Sequence, residues 1–109
     1  MSEGLELGQD VAVVTGASRG IGRAIAQELG RRGATVIGTA TSESGAESIT
    51  QTFAQAGIKG RGLVLNVAKQ DSIDALLGQL ESKEGAPSIL VNNAGITRDN
   101  LLLRMKADE

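Results

Sequence analysis

Val11-Ala12-Val13-Val14-Thr15-Gly16-Ala17-Ser18-Arg19-Gly20-Ile21-Gly22 runs from four apolar residues into a glycine-rich loop. An apolar run ending at a glycine reads as a short strand buried on both faces. Ile21, Ala24, Ile25 and Leu29 then recur at helical spacing and place an apolar stripe on a helix from about Gly20 to Arg32. Gly33 stops that helix in a left-handed conformation. The spacing between strand and helix is Thr-Gly-x-x-x-Gly-x-Gly. No Gly-Lys-Ser/Thr follows, so the loop is not a P-loop. Gly16 lets the chain turn sharply after the strand. Gly20 removes a side chain where a pyrophosphate approaches the backbone, and Gly22 lets the helix sit close to the sheet. The helix N-terminus, with its free N–H groups and positive dipole end, then faces the anion, and Ser18 adds a hydroxyl donor.

The same alternation continues outward. Thr35-Val36-Ile37-Gly38-Thr39 reads as a second strand, and Ala46, Ile49, Phe53 and Ala54 mark a second helix closed near Gly57. Leu63-Val64-Leu65 is a third strand. Ile73, Leu76, Leu77 and Leu80 mark a third helix that ends before Gly85 and Pro87, and Ile89-Leu90-Val91 is a fourth strand. After a loop over Asn92–Asn100, Leu101-Leu102-Leu103-Arg104-Met105 begins another helix. The order βαβαβαβ predicts an α/β fold of Rossmann type, a doubly wound parallel sheet of strand order 3-2-1-4, of which only the first portion is present. Residues 1–9 read as a flexible lead-in, and residues 10–109 as the N-terminal part of one nucleotide-binding domain.

Composition narrows the function. The 109 residues suit one small domain, and Phe53 is the sole aromatic residue, so its core is aliphatic. A net charge of −2 without a basic cluster gives no footprint for nucleic acid. Cysteine is absent, which removes disulfides and a thiol nucleophile; histidine is absent, which removes a Ser-His-Asp triad and leaves a zinc site only carboxylates. No apolar run approaches the ~20 residues that span a bilayer. The acidic start Met1-Ser2-Glu3-Gly4 lacks a signal-peptide pattern, so the cytoplasm is the expected compartment.

The end of the second strand distinguishes the nicotinamide cofactors. A carboxylate there, ~20 residues past the glycines, holds the ribose 2′-hydroxyl of NAD and would repel a 2′-phosphate. In this chain the region reads Gly38-Thr39-Ala40-Thr41-Ser42, and the first carboxylate is Glu43. Arg19 stands inside the phosphate loop, where a guanidinium pairs well with phosphate, and Thr41 offers a hydroxyl. The expected cofactor is therefore NADP(H).

Asn92-Asn93-Ala94-Gly95 follows the fourth strand directly. Two amides at the carboxyl edge of a buried strand must find partners, by tying neighbouring loops together or by contacting a ribose. Gly95 leaves room for a flat ligand. Together with the loop Thr15–Gly22, this segment resembles the short-chain dehydrogenase/reductase family, over essentially the whole chain from about Leu7. Within the family the resemblance is nearest to the bacterial 3-oxoacyl-[acyl-carrier-protein] reductases. It rests there on Val36–Ser42 and on Ile96-Thr97-Arg98-Asp99-Asn100-Leu101-Leu102 with Arg104-Met105-Lys106. One departure is visible: Pro87-Ser88 stands where such proteins commonly carry an acidic residue.

The resemblance implies NADPH-dependent reduction of a 3-oxoacyl thioester on acyl carrier protein, in fatty-acid elongation. It assigns Gly16, Ala17, Ser18, Arg19 and Ile21 to the phosphates, and Thr41 to the 2′-phosphate. Asn66 and Val67 fall at the adenine, and Asn93, Ala94 and Gly95 along the ribose on the nicotinamide side. An acetoacetyl-CoA reductase or another short-chain reductase is the alternative, as is a non-catalytic NADP-binding fragment. The family's chemistry uses an Asn-Ser-Tyr-Lys set, in which the tyrosine is the general acid. This chain has no tyrosine, and Lys106 matches no catalytic position, so no catalytic residue is assigned and the chain alone is expected to be inactive. It reads as truncated before those segments. The fourth strand is then an open edge, through which the chain is expected to associate with itself or with a complementary half.

Overall fold

The fold is known from a computed structural model, which describes residues 7–66 and 69–93. Four strands alternate with three helices: β1 (Val11–Val14), α1 (Gly20–Arg31), β2 (Thr35–Ala40), α2 (Glu43–Ala56), β3 (Gly60–Val64), α3 (Gln70–Lys83) and β4 (Ile89–Val91). All pairings are parallel, and the sheet order is β3-β2-β1-β4, as the element pattern predicts. The helix expected over Leu101–Met105 lies outside the described residues.

Both faces of the sheet are covered, which is why its strands are apolar without alternation. On one face Ala12, Val14, Val36 and Ala40 pack with Ala26, Ile49, Phe53 and Ile58, so α1 and α2 lie there. On the other face Val13, Ile37 and Leu65 pack with Ile73, Leu76, Leu77 and Leu80 of α3. Successive residues of β1 thus feed two separate clusters, as the two-residue side-chain period of a strand requires.

The helices end where the glycines allow it. Gly57 caps α2 in the left-handed region at φ 73°, and Gly33 follows α1 at φ 100°. The inner face of α1 differs from the expected stripe. Ile21 is 72% exposed and Ala24 is exposed, while Gly22 and Ala26 are buried and Ile25 and Leu29 pack on the core. Small residues carry the contact because α1 approaches the sheet closely, and periodicity weights large apolar residues instead. Ala54 on α2 is likewise exposed, with Ala46, Ile49 and Phe53 forming the buried face. At the far end of α1, Arg32 hydrogen-bonds Glu28 at 2.8 Å and Arg31 pairs with it at 2.7 Å. The Arg32 hydrogen bond, with help from Arg31, holds the exposed Glu28 carboxyl below its usual range against the opposing effect of desolvation.

β3 begins earlier than its apolar residues suggest. Gly60-Arg61-Gly62 pairs with Val36-Ile37-Gly38, and the strand ends at Val64. Leu65 has left the strand but is buried, and its N–H donates to the Ala40 carbonyl at 2.9 Å. Leu7 donates its N–H to the Arg32 carbonyl at 2.8 Å and packs on the core. Ser88, at the departure from the family pattern, donates to the Asp10 carboxylate at 2.8 Å and accepts the Val11 N–H at 3.1 Å. It thereby ties the start of β4 to the start of β1.

Arg61 supplies the main polar tie between β3 and the end of α3. Its Nε and Nη2 donate to the two Glu84 carboxylate oxygens at 2.9 and 3.2 Å, a two-point geometry. Arg61→Met strips both bonds from a carboxylate side chain that is only 7% exposed. We expect a stability loss of about 1–3 kcal/mol, read from urea denaturation. An unchanged midpoint would remove the pair from the account of the fold.

Candidate functional site

Because every strand runs the same way, the segments that follow them emerge on one edge of the sheet. The register sets the strand ends level, with Val14 beside Gly38 and Val91, and Ala40 beside Val64. β1 lies between β2 and β4, and the connections from it and back to it cover opposite faces. That is the switch point at which open α/β sheets leave a crevice. Gly16, Ala17, Ser18, Arg19, Ile21, Thr41, Asn66 and Asn93 all follow strand ends on this edge. Val67, Ala94 and Gly95 lie outside the described residues.

The loop after β1 has a fixed inner limb and an open outer limb. Thr15 is fully buried; its N–H donates to the Val91 carbonyl at 3.0 Å and its hydroxyl to Asn92 Oδ1 at 3.1 Å. On the other side, Gly16 donates its N–H to Thr39 Oγ1 at 3.3 Å, and Ala17 donates to the Thr39 carbonyl at 2.9 Å. Asn93 Nδ2 closes the strap by donating to the Gly16 carbonyl at 3.1 Å. The loop is thus fastened to β4 and to β2 at once.

Beyond Ala17 the chain faces outward. Ser18 is half-buried, and Arg19, Gly20 and Ile21 are exposed. Arg19 occupies the N-cap of α1 in extended conformation, with no side-chain cap and no acidic residue in the first turn. The first amide N–H groups of α1 therefore point out with no side-chain acceptor. Space above Gly20, at φ 66°, is open: a Cβ there would meet nothing within 4 Å. Gly22 is the reverse, since a Cβ would stand 2.2 Å from the Gly16 carbonyl oxygen and 2.6 Å from Asn93 Nδ2.

An uncapped helix start, an exposed arginine and an open glycine are features that could hold an anion. Ala17 belongs to their support, because its amide is taken by Thr39 and its side chain is buried. Thr41 is exposed at the end of β2, whereas Ser42 beside it caps α2 by accepting the Gly45 N–H at 3.1 Å. Glu43 lies in the first turn of α2 and lines the groove shared with Leu63 and Val64 of β3. Asn66 is exposed, and its backbone N–H donates to Ser72 Oγ at 2.8 Å. Thr39 is the residue the sequence did not mark. A threonine at the end of a strand reads as ordinary strand composition, and only its burial among apolar neighbours makes its hydroxyl a demand for a partner. Among the described residues no group of acidic side chains stands close enough to hold a metal ion, and no helix is long and apolar enough to cross a membrane.

With this geometry in place, comparison with known proteins gives the class. Residues 10–109 match the short chain dehydrogenase family, and the chain belongs to it. Among individual relatives, it is 64% identical over 99 residues to the 3-oxoacyl-[acyl-carrier-protein] reductase FabG of Pseudomonas aeruginosa. It is 63% identical to the FabG of Haemophilus influenzae and 59% identical to that of Escherichia coli K12, each over 99 residues. Each alignment covers 91% of this chain. The chain spans about 40% of the length of these relatives.

The tight approach at Gly22 yields a direct test. Gly22→Ala must push the Gly16 carbonyl or Asn93 away and unfasten the strap. We expect destabilisation of about 1–3 kcal/mol, read by circular dichroism during urea denaturation. Wild-type stability would mean that α1 has room to shift.

Proposed function

We propose that this chain binds NADPH through the loop after β1 and serves as the nucleotide-binding part of a reductase acting on 3-oxoacyl thioesters of acyl carrier protein. The observation that carries the reading is the uncapped first turn of α1, held open by a loop strapped to β2 and β4. The substrate rests on the similarity to 3-oxoacyl-[acyl-carrier-protein] reductases, and the choice of cofactor on Arg19 and on the acid-free end of β2. The first carboxylate, Glu43, serves the first turn of α2 and the groove toward β3.

On this reading the amides of Gly20 and Ile21, with Ser18, hold the diphosphate, and Arg19 and Thr41 hold the 2′-phosphate. Asn66 and Val67 flank the adenine, while Asn93, Ala94 and Gly95 run along the nicotinamide-side ribose. When bound, the nicotinamide would supply a hydride to the 3-oxo carbon. The alkoxide so formed needs a proton, and among these 109 residues there is no tyrosine, histidine or cysteine to give it. We therefore propose that the chain alone binds the cofactor without turnover. The outer edge of β4, whose residues are all half-buried, is the surface through which it associates.

Two measurements test this. In calorimetric titration, Arg19→Ala should cost NADPH about 1.5–3 kcal/mol of affinity and leave NADH nearly unchanged. Equal losses for both nucleotides would contradict the 2′-phosphate role. Incubated with NADPH and a 3-oxoacyl thioester, the purified chain should give no hydride-dependent absorbance loss; measurable turnover would show that it holds a proton donor of its own.

A further inference from the structure

Thr39 fixes two consecutive amides of the loop with a single residue. Its Oγ1 accepts the Gly16 N–H at 3.3 Å, and its carbonyl accepts the Ala17 N–H at 2.9 Å. It is 2% exposed. The strand comes close at this point: a Cβ on Gly38 would lie 2.9 Å from the Ala17 Cβ. The carbonyl bond is available to any residue at position 39, whereas the bond to Gly16 needs the hydroxyl.

We propose that Thr39 is a positioning residue for the diphosphate end of the cofactor, a role that rests on the nucleotide reading above. It reaches no ligand itself. By holding Gly16 and Ala17 it sets where Ser18 and the first amides of α1 stand. A dipole or donor aimed at an anion is effective only if its direction is fixed before the anion arrives. Without the hydroxyl, the Gly16 N–H loses its acceptor inside the sheet edge, and the loop gains freedom that binding must remove. The diphosphate is common to both nicotinamide cofactors, so this loss weakens NADPH and NADH alike. That signature separates Thr39 from Arg19, whose loss bears on the 2′-phosphate alone.

Valine at position 39 keeps the shape without the acceptor, and serine keeps the hydroxyl without the methyl group. The test is calorimetric titration of Thr39→Val and Thr39→Ser with NADPH and NADH, at a temperature where each variant is folded by circular dichroism. Amide exchange of Gly16 in the ligand-free chain, followed by NMR, gives a second readout. Thr39→Val should weaken both nucleotides by roughly five- to tenfold, the effect of one hydrogen bond, and speed Gly16 exchange. Thr39→Ser should restore both properties. Wild-type affinities in Thr39→Val, a loss confined to NADPH, or equal losses in the serine and valine variants would each overturn the proposal. If the wild-type chain bound neither nucleotide, the nucleotide reading itself would fall; normal wild-type binding with an unaffected Thr39→Val would sink only the role of Thr39.

Discussion

Two buried threonine hydroxyls, one just past β1 and one on β2, hold the carboxyl edge of this sheet together. Thr15 and Thr39 are the two buried polar side chains among the described residues. Each sits where an apolar strand gives way to a loop, and each bonds a neighbouring segment: Thr15 reaches Asn92 past β4, and Thr39 receives Gly16. A buried hydroxyl costs free energy unless it is paired, so the pairs specify one loop position rather than merely permitting it. The geometry of the first turn of α1 follows from that position. So does the close packing of Gly22 against Gly16, which leaves no space for a displaced loop.

Charge placement sets the start of α1 apart from the starts of α2 and α3. The first turn of α2 carries Glu43 and a Ser42 cap, and that of α3 carries Asp71. Both satisfy the positive end of a helix dipole from within the chain. α1 has neither a cap side chain nor an acid at its start, and Arg19 adds positive charge there. Its acidic residue, Glu28, stands at the other end in a bridge to Arg31 and Arg32. A lone helix would be better stabilised with the acid at its start. The arrangement leaves uncompensated field at the start of α1, beside the crevice.

Much of this was legible in the sequence, and the gaps have physical causes. β1, β2 and β4 could be read because their residues are apolar in succession, the mark of strands covered on both faces. The apolar run Leu63–Leu65 marks β3 three residues late, since Gly60, Arg61 and Gly62 join the sheet by backbone pairing, which leaves no mark on side-chain hydrophobicity. Periodicity places Ile21 and Ala24 inward because it weighs hydrophobic side chains. The structure instead turns Gly22 and Ala26 to the sheet, since close approach selects for absent volume. Asn93 was recognisable as an amide in need of a partner, but the identity of that partner, Gly16, lies 77 residues away in sequence. Thr39 left no mark, because its importance depends on a neighbour that only the folded sheet brings near.

The anchors of the loop also bear on how far the site depends on the rest of a longer relative. Val91, Asn92 and Asn93 fasten it from β4, and Thr39 from β2, all within residues 39–93. The strap is therefore complete within the described part of the chain. On the reading proposed above, these residues suffice to preorganise the phosphate end. A parallel sheet makes such a site natural, because each added strand delivers its trailing loop to the same edge.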